Sequence, residues 1–148
     1  ANNVARSLGV ACGLVGARFT VSSPPGYTFD GPSLERLRAA GAEPREVDDP
    51  REAVKGAEVV YTDAWYSMGQ EDEREVRTRA FERWRVDEDL MGLAAEDAVF
   101  LHCLPAHRGD EVTDEVLDGP RSRVWAQAEN RMHTARGLLA WLVDEDLR

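Results

Sequence analysis

Apolar positions recur along the chain in two alternating rhythms. Val4, Leu8, Ala11, Cys12 and Val15 fall near a 3.6-residue period, which predicts a helix over 3–15 with Asn2 or Asn3 as its cap. Arg18-Phe19-Thr20-Val21-Ser22 then alternates and carries β-branched residues, a strand signal that Pro24-Pro25-Gly26 ends. A short helix is predicted over 33–40, capped by Ser33 and stopped by Gly41. A weak strand at 43–47 and a short helix at 49–54, with Pro50 in its first turn, follow. The run Glu58-Val59-Val60-Tyr61-Thr62 is a clear strand, and residues 63–70 after it keep neither period and read as a loop. Helices are expected at 71–81 and 87–95, and the first of these opens on Glu71-Asp72-Glu73-Arg74-Glu75, a solvated start favoured by the helix dipole. Ala98-Val99-Phe100-Leu101 is a continuous apolar strand of the kind buried on both faces. A short helix at 114–117, a last strand at 123–126 and a long helix at 128–147 complete the pattern.

Strands alternating with helices predict an α/β fold, a doubly wound and mostly parallel sheet with helices on both faces. No internal repeat or low-complexity linker interrupts it. In such sheets ligands bind beyond the carboxyl ends of the strands. Two segments lie there and carry unusual residue types, 63–70 and 102–108.

Length and charge narrow the field. The 148 residues suit one domain. With 43 % hydrophobic and 31 % charged residues the chain reads as globular, and no apolar run is long enough for a membrane helix. A net charge of −10 argues against nucleic acid, whose phosphates demand clustered Lys and Arg. Cys12 and Cys103 do not make a disulfide framework, and a reducing cytoplasm is the simpler expectation. Cys12, within Ala11-Cys12-Gly13-Leu14-Val15, reads as a small core residue. No secretory signal is visible, and the start at Ala1 is expected to reflect processing or excision from a longer chain.

His102-Cys103-Leu104-Pro105 sets a thiol beside an imidazole at a strand exit, which fits a nucleophile pair, a metal site or a polarised binding site as well as an ordinary strand end. A zinc site from His102, Cys103 and His107 is disfavoured, because adjacent residues on an extended chain point apart and His133 stands alone on a helix. A cysteine hydrolase lacks an assignable base and oxyanion hole. In the 63–70 loop, Asp63 can pair with an ammonium group and Ser67 can donate to a carboxylate, although a loop Asp is more often a turn former. No Gly-x-Gly-x-x-Gly or phosphate loop supports a nucleotide site.

Taken together, Asn2-Asn3-Val4, Ser67-Met68-Gly69, His102-Cys103-Leu104-Pro105 and Glu129-Asn130-Arg131 resemble, in order and spacing, the second domain of the ornithine carbamoyltransferase family. The resemblance covers nearly all of 1–148 and implies the ornithine-binding domain, with the carbamoyl phosphate domain absent. It implies carbamoyl transfer from carbamoyl phosphate to the δ-amine of L-ornithine, giving citrulline and phosphate, with no cofactor and no metal. Asn3, Asp63, Ser67 and the Met68 backbone would hold the amino-acid end of ornithine. Cys103 and the Leu104 carbonyl would lie by the reacting amine, and His102 and Arg131 would face carbamoyl phosphate. Cys103, His102, Asp63 and Arg131 are thus the implied catalytic set, and a homotrimer is expected only of the complete protein. The alternatives are a non-catalytic amino-acid-binding module and a carbamoyltransferase for another amine, such as putrescine or an acylated ornithine.

Two features depart from the family pattern. The Ser-x-Arg-Thr phosphate cradle of the family's first domain is missing. So is the strand ending in Gly-Asp that precedes the Asn-Asn pair. Its loss is expected to leave two strand edges unpaired and to expose Trp141 and Leu142 on the terminal helix.

Overall fold

A computed structural model describes residues 1–66 and 71–144. The element order is α1 (Asn3–Leu14), β1 (Thr20–Ser22), α2 (Gly31–Ala39), β2 (Arg45–Val47), α3 (Pro50–Val54), β3 (Val59–Thr62), α4 (Arg74–Phe81), α5 (Glu88–Met91), β4 (Val99–His102), α6 (Asp114–Leu117) and α7 (Val124–Val143). All strand pairing between these elements is parallel, so the class is α/β.

The strands fall into two parallel pairs, in keeping with the expected α/β sheet with two unpaired strand edges. Among the described residues β1 pairs with β2 alone and β3 with β4 alone, giving two two-stranded sheets. Residues of β1 and β3 line a common groove of about 1500 Å³, which Asn2, Asn3, Asp63 and Trp84 also border. Among the described residues both strands therefore keep an edge free of ladder partners, as expected from the sequence. Trp141 and Leu142 are exposed at 48 % and 47 %, also as expected.

Each sheet has its own core. Phe29, Leu37 and Ala42 are buried beside β1 and α1, with Phe19 and Val21 packed against them. Val60, Val86, Leu90, Met91, Phe100, Val112, Val116, Leu117 and Val124 form the other cluster around β3 and β4.

Local chemistry explains where elements begin and end. Helix α1 is capped by Asn2, whose side chain accepts from Ala5 N. Helix α2 starts earlier than expected because Asp30, not Ser33, is its cap: Asp30 Oδ1 accepts from Ser33 N at 2.9 Å. Helix α4 is preceded by a 3-10 turn, Glu71–Glu73. Helix α5 is capped by Asp87 and is shorter than 87–95. Beyond Gly92 the backbone bonds instead to the loop before β3, with Gly56 N donating to Leu93 O and Ala95 N to Ala57 O. The strand expected at 123–126 is corrected: Phe100 N donates to Arg121 O and Arg123 N to Phe100 O, so a single parallel bridge at Ser122 comes first and α7 begins at Val124. The end of the helix expected over 128–147 falls partly outside the described residues.

Candidate functional site

Parallel pairing of β3 and β4 builds the site. Val59 aligns with Val99, and the register continues to Thr62 opposite His102. The next residues, Asp63 and Cys103, therefore leave the two strands side by side although they lie far apart in sequence. The Cys103 thiol donates to Asp63 Oδ1 at 2.8 Å. Asp63 also accepts from its neighbour Ala64 N at 2.8 Å and, through Oδ2, from Asn2 Nδ2 at 2.5 Å. Asn2 thus caps α1 with its oxygen and ties the start of the chain to β3 with its nitrogen.

Side chains alternate along a strand, so Tyr61 shares the face of Asp63. Its hydroxyl accepts from Gln127 Nε2 at 3.3 Å, and Gln127 Oε1 accepts from His102 N at 3.0 Å. The start of α7 is fastened in this way to the end of β4. Burial pushes the Tyr61 hydroxyl up to about 12, with the neighbouring Cys103 adding to the shift. Burial also pushes the Cys103 thiol up to about 12, reinforced by its hydrogen bond to Asp63 and by the Asp63 charge. At neutral pH Cys103 is an un-ionised thiol that donates a hydrogen bond, which is the wrong state for a nucleophile.

The sequence-predicted residues divide clearly. Asp63 and Cys103 meet. Leu104 follows Cys103 with a left-handed backbone, φ +59°, and its N–H donates to His102 Nδ1 at 2.9 Å. Asn3 is exposed on the first turn of α1 and borders the groove. Arg131 is exposed on α7, one helical turn beyond Gln127. Ser67 and Met68 lie outside the described residues.

His102, which the resemblance sets toward carbamoyl phosphate, is the most deeply buried of the predicted residues that the structure describes. Its side chain is fully buried, with Nε2 at 3.1 Å from Glu111 Oε1 and Nδ1 occupied by Leu104. The residues of the zinc alternative do not converge, because the His102 ring turns to Glu111 while Cys103 turns to Asp63. Among the described residues no cluster of three or more His, Cys, Asp or Glu could hold a metal ion.

Sequence reasoning missed Tyr61, Gln127 and Glu111, and gave Asn2 only a capping role. Tyr61 had a signal, since it stands two residues before Asp63 on a predicted strand. Gln127 and Glu111 had none, because their contacts cross between elements.

Residues 1–142 match the family model for the aspartate/ornithine carbamoyltransferase Asp/Orn binding domain. The chain belongs to this family. It is 53 % identical over 149 aligned positions to an ornithine carbamoyltransferase of Acidothermus cellulolyticus, covering 97 % of this chain and 47 % of that protein. Among solved structures it resembles ornithine carbamoyltransferase from Pyrococcus furiosus, with a TM-score of 0.86 and 47 % identity over 94 % of this chain and 46 % of the other. It also resembles an acetylornithine transcarbamylase complexed with acetylcitrulline, with a TM-score of 0.81 and 30 % identity over 95 % and 44 %. The chain spans about half the length of the curated relatives it matches.

Proposed function

We propose that this chain supplies the ornithine site of an ornithine carbamoyltransferase, an enzyme completed by a carbamoyl phosphate domain. The observation that supports it best is the meeting of Asp63, Asn2 and the protonated Cys103 at adjacent exits of two parallel strands. One carboxylate beside a neutral thiol and a neutral phenol is an environment for a single ammonium group. In this reading Asp63 answers the α-ammonium of ornithine. Asn3, Ser67 and the Met68 backbone hold the α-carboxylate end.

The δ-amine must lose its proton before it can attack, and a pocket with few charges near it favours the neutral form. Cys103 and the Leu104 carbonyl orient that amine, the carbonyl by accepting one of its hydrogens. A C–N bond then forms to the carbonyl carbon of carbamoyl phosphate, the C–O bond to phosphate breaks, and the proton that the nitrogen sheds after attack passes to the departing phosphate. Arg131 stabilises charge on the phosphate side. Cys103 forms no covalent bond in this scheme, consistent with its raised pKa. The two free cysteines suit a reducing cytoplasm, and a homotrimer belongs to the complete protein.

The test uses the complete polypeptide with carbamoyl phosphate and a panel of amines. Citrulline should form from L-ornithine, and Cys103→Ala should lower turnover on the order of a hundredfold while the unfolding midpoint holds. Parallel loss of turnover and stability would remove the assigned role of Cys103. A second reading, transfer to an acylated ornithine, is favoured by the likeness to acetylornithine transcarbamylase. Preference for N-acetylornithine over ornithine in the same panel would establish it.

A further inference from the structure

Glu111 is completely buried and has no part in the scheme above. Its backbone is clamped from both sides. Val86 N donates to Glu111 O at 2.9 Å, Thr113 N to Val86 O at 3.1 Å, and Arg85 Nε to Asp110 O at 2.9 Å. One carboxylate oxygen, Oε1, receives both His107 N–H at 2.6 Å and the His102 ring at 3.1 Å. The other, Oε2, lies 3.6 Å from His107 Nδ1. Burying a carboxylate is costly, so a chain that does it at a fixed position has a reason to be sought in what the group holds.

The reason lies two bonds further on. A neutral imidazole carries its proton on one nitrogen and a lone pair on the other. Leu104 N–H points at His102 Nδ1, which must therefore offer the lone pair. The proton then sits on Nε2, where only an acceptor is tolerable, and Glu111 Oε1 is that acceptor. The opposite tautomer would set donor against donor at Leu104 and acceptor against acceptor at Glu111. Leu104 is also the one non-glycine residue with positive φ among the described residues, a conformation that costs a leucine about 1–2 kcal/mol unless neighbours enforce it. The bond to His102 is one such constraint, and it acts on the residue whose carbonyl the proposed function aims at the reacting amine.

We propose that Glu111 is a positioning residue for carbamoyl transfer: it fixes the His102 tautomer that holds the Leu104 amide, and so sets the aim of the Leu104 carbonyl. The inference rests on the proposed function for the role of that carbonyl, but not for the tautomer.

Two variants and a spectrum test it in the complete polypeptide. Glu111→Leu removes the acceptor and should lower kcat by on the order of tenfold to a hundredfold, with KM for ornithine within about twofold, because the amino-acid end is held elsewhere. Glu111→Gln keeps an oxygen for both N–H groups and can turn its amide NH₂ toward His107 Nδ1, so it should recover kcat to within about threefold of the parent. Imidazole nitrogen NMR should show His102 protonated on Nε2 in the parent and in Glu111→Gln, and a mixture of tautomers in Glu111→Leu. A folded Glu111→Leu protein with parental kcat overturns the proposal, as does a Gln variant as slow as Leu. If Glu111→Leu does not fold, the parent spectrum and the Gln kinetics still decide, since a parent protonated on Nδ1 is incompatible with the proposal. A parent protein that makes no citrulline would sink the functional reading alone, and the spectra would then decide whether Glu111 sets the tautomer.

Discussion

The β1–β2 half and the β3–β4 half use the same parallel pairing but differ in what lies behind the strands. Behind β3 and β4, Phe100, Met91, Val112 and Val124 are sealed from solvent, and the buried His102–Glu111 pair continues that core toward the site. Behind β1 and β2 the buried cluster among the described residues is Phe29, Leu37 and Ala42. The proposed chemistry stands on the first half. A buried ionisable pair needs rigid surroundings on all sides, whereas helix α1 has only to present Asn2 and Asn3 to the groove. Precise placement of Asp63 and Cys103 thus follows from the deeper core, and the shallower half contributes an edge.

The largest test of that contrast is a matched truncation. Phe100→Ala empties the centre of the deeper cluster and should destabilise the protein by about 4–5 kcal/mol, the upper end for such changes. Phe29→Ala, at 7 % exposure in the smaller cluster, should cost about 2–3 kcal/mol, because its surroundings can collapse more readily. Urea titration of both variants gives the comparison. Equal losses would mean that the two cores are equivalent and that the site owes nothing special to its half.

A smaller effect sharpens how the shallow half is held. A Cβ on Gly13 of α1 would sit 2.5 Å from Ala42 N and 2.7 Å from Ala40 O, which are backbone atoms that cannot swing aside. Gly13→Ala should therefore push α1 off the end of α2 at a cost of about 1–3 kcal/mol. Gly31→Ala, with nothing within 4 Å, should change stability by less than about 0.5 kcal/mol. Thermal denaturation of the pair decides it, and a neutral Gly13→Ala would show that α1 is loosely seated. Such a helix could not aim Asn2 at Asp63.

Much of this was readable from residue order, and the failures have physical causes. The apolar runs ending at Thr62 and Leu101 announce two strand exits, so Asp63 and Cys103 could be placed before any coordinates. Burial in β4 alternates, with Phe100 and His102 sealed and Val99 and Leu101 half-buried. His102 thus turns to the same side as Phe100, a direction that a continuous apolar run read as buried on both faces does not announce. Glu111 carried no mark either. It lies in an irregular segment with no period, and its burial comes from the bridge between Val86 and Val112. The Val124-Trp125-Ala126 run is too short to distinguish strand from helix by pattern, and the pairing that precedes it is a single bridge.

The smallest effect compares the two thiols, one in each half. Burial alone raises Cys12, whereas Cys103 is raised by burial together with the Asp63 hydrogen bond and charge. Both should react with iodoacetamide at pH 8 more slowly than a free peptide thiol, and Cys103 should be the slower, because only thiolate attacks. Asp63→Asn removes the carboxylate that favours the protonated thiol, so it should speed alkylation of Cys103 and leave Cys12 unchanged. Mass spectrometry of the labelled peptides separates the two sites. The same shift has a consequence for stability. A thiol whose folded pKa stands above its ordinary 9.0 contributes stability that is complete below pH 9 and is lost as pH rises toward about 12. The unfolding midpoint should fall across that window, and Cys103→Ala should flatten part of the fall, with Tyr61, raised from 10.0 to about 12, keeping the rest. An Asp63→Asn protein whose Cys103 reacts no faster would show that burial, not the carboxylate, holds the proton, and Asp63 would then be left free to answer only the substrate.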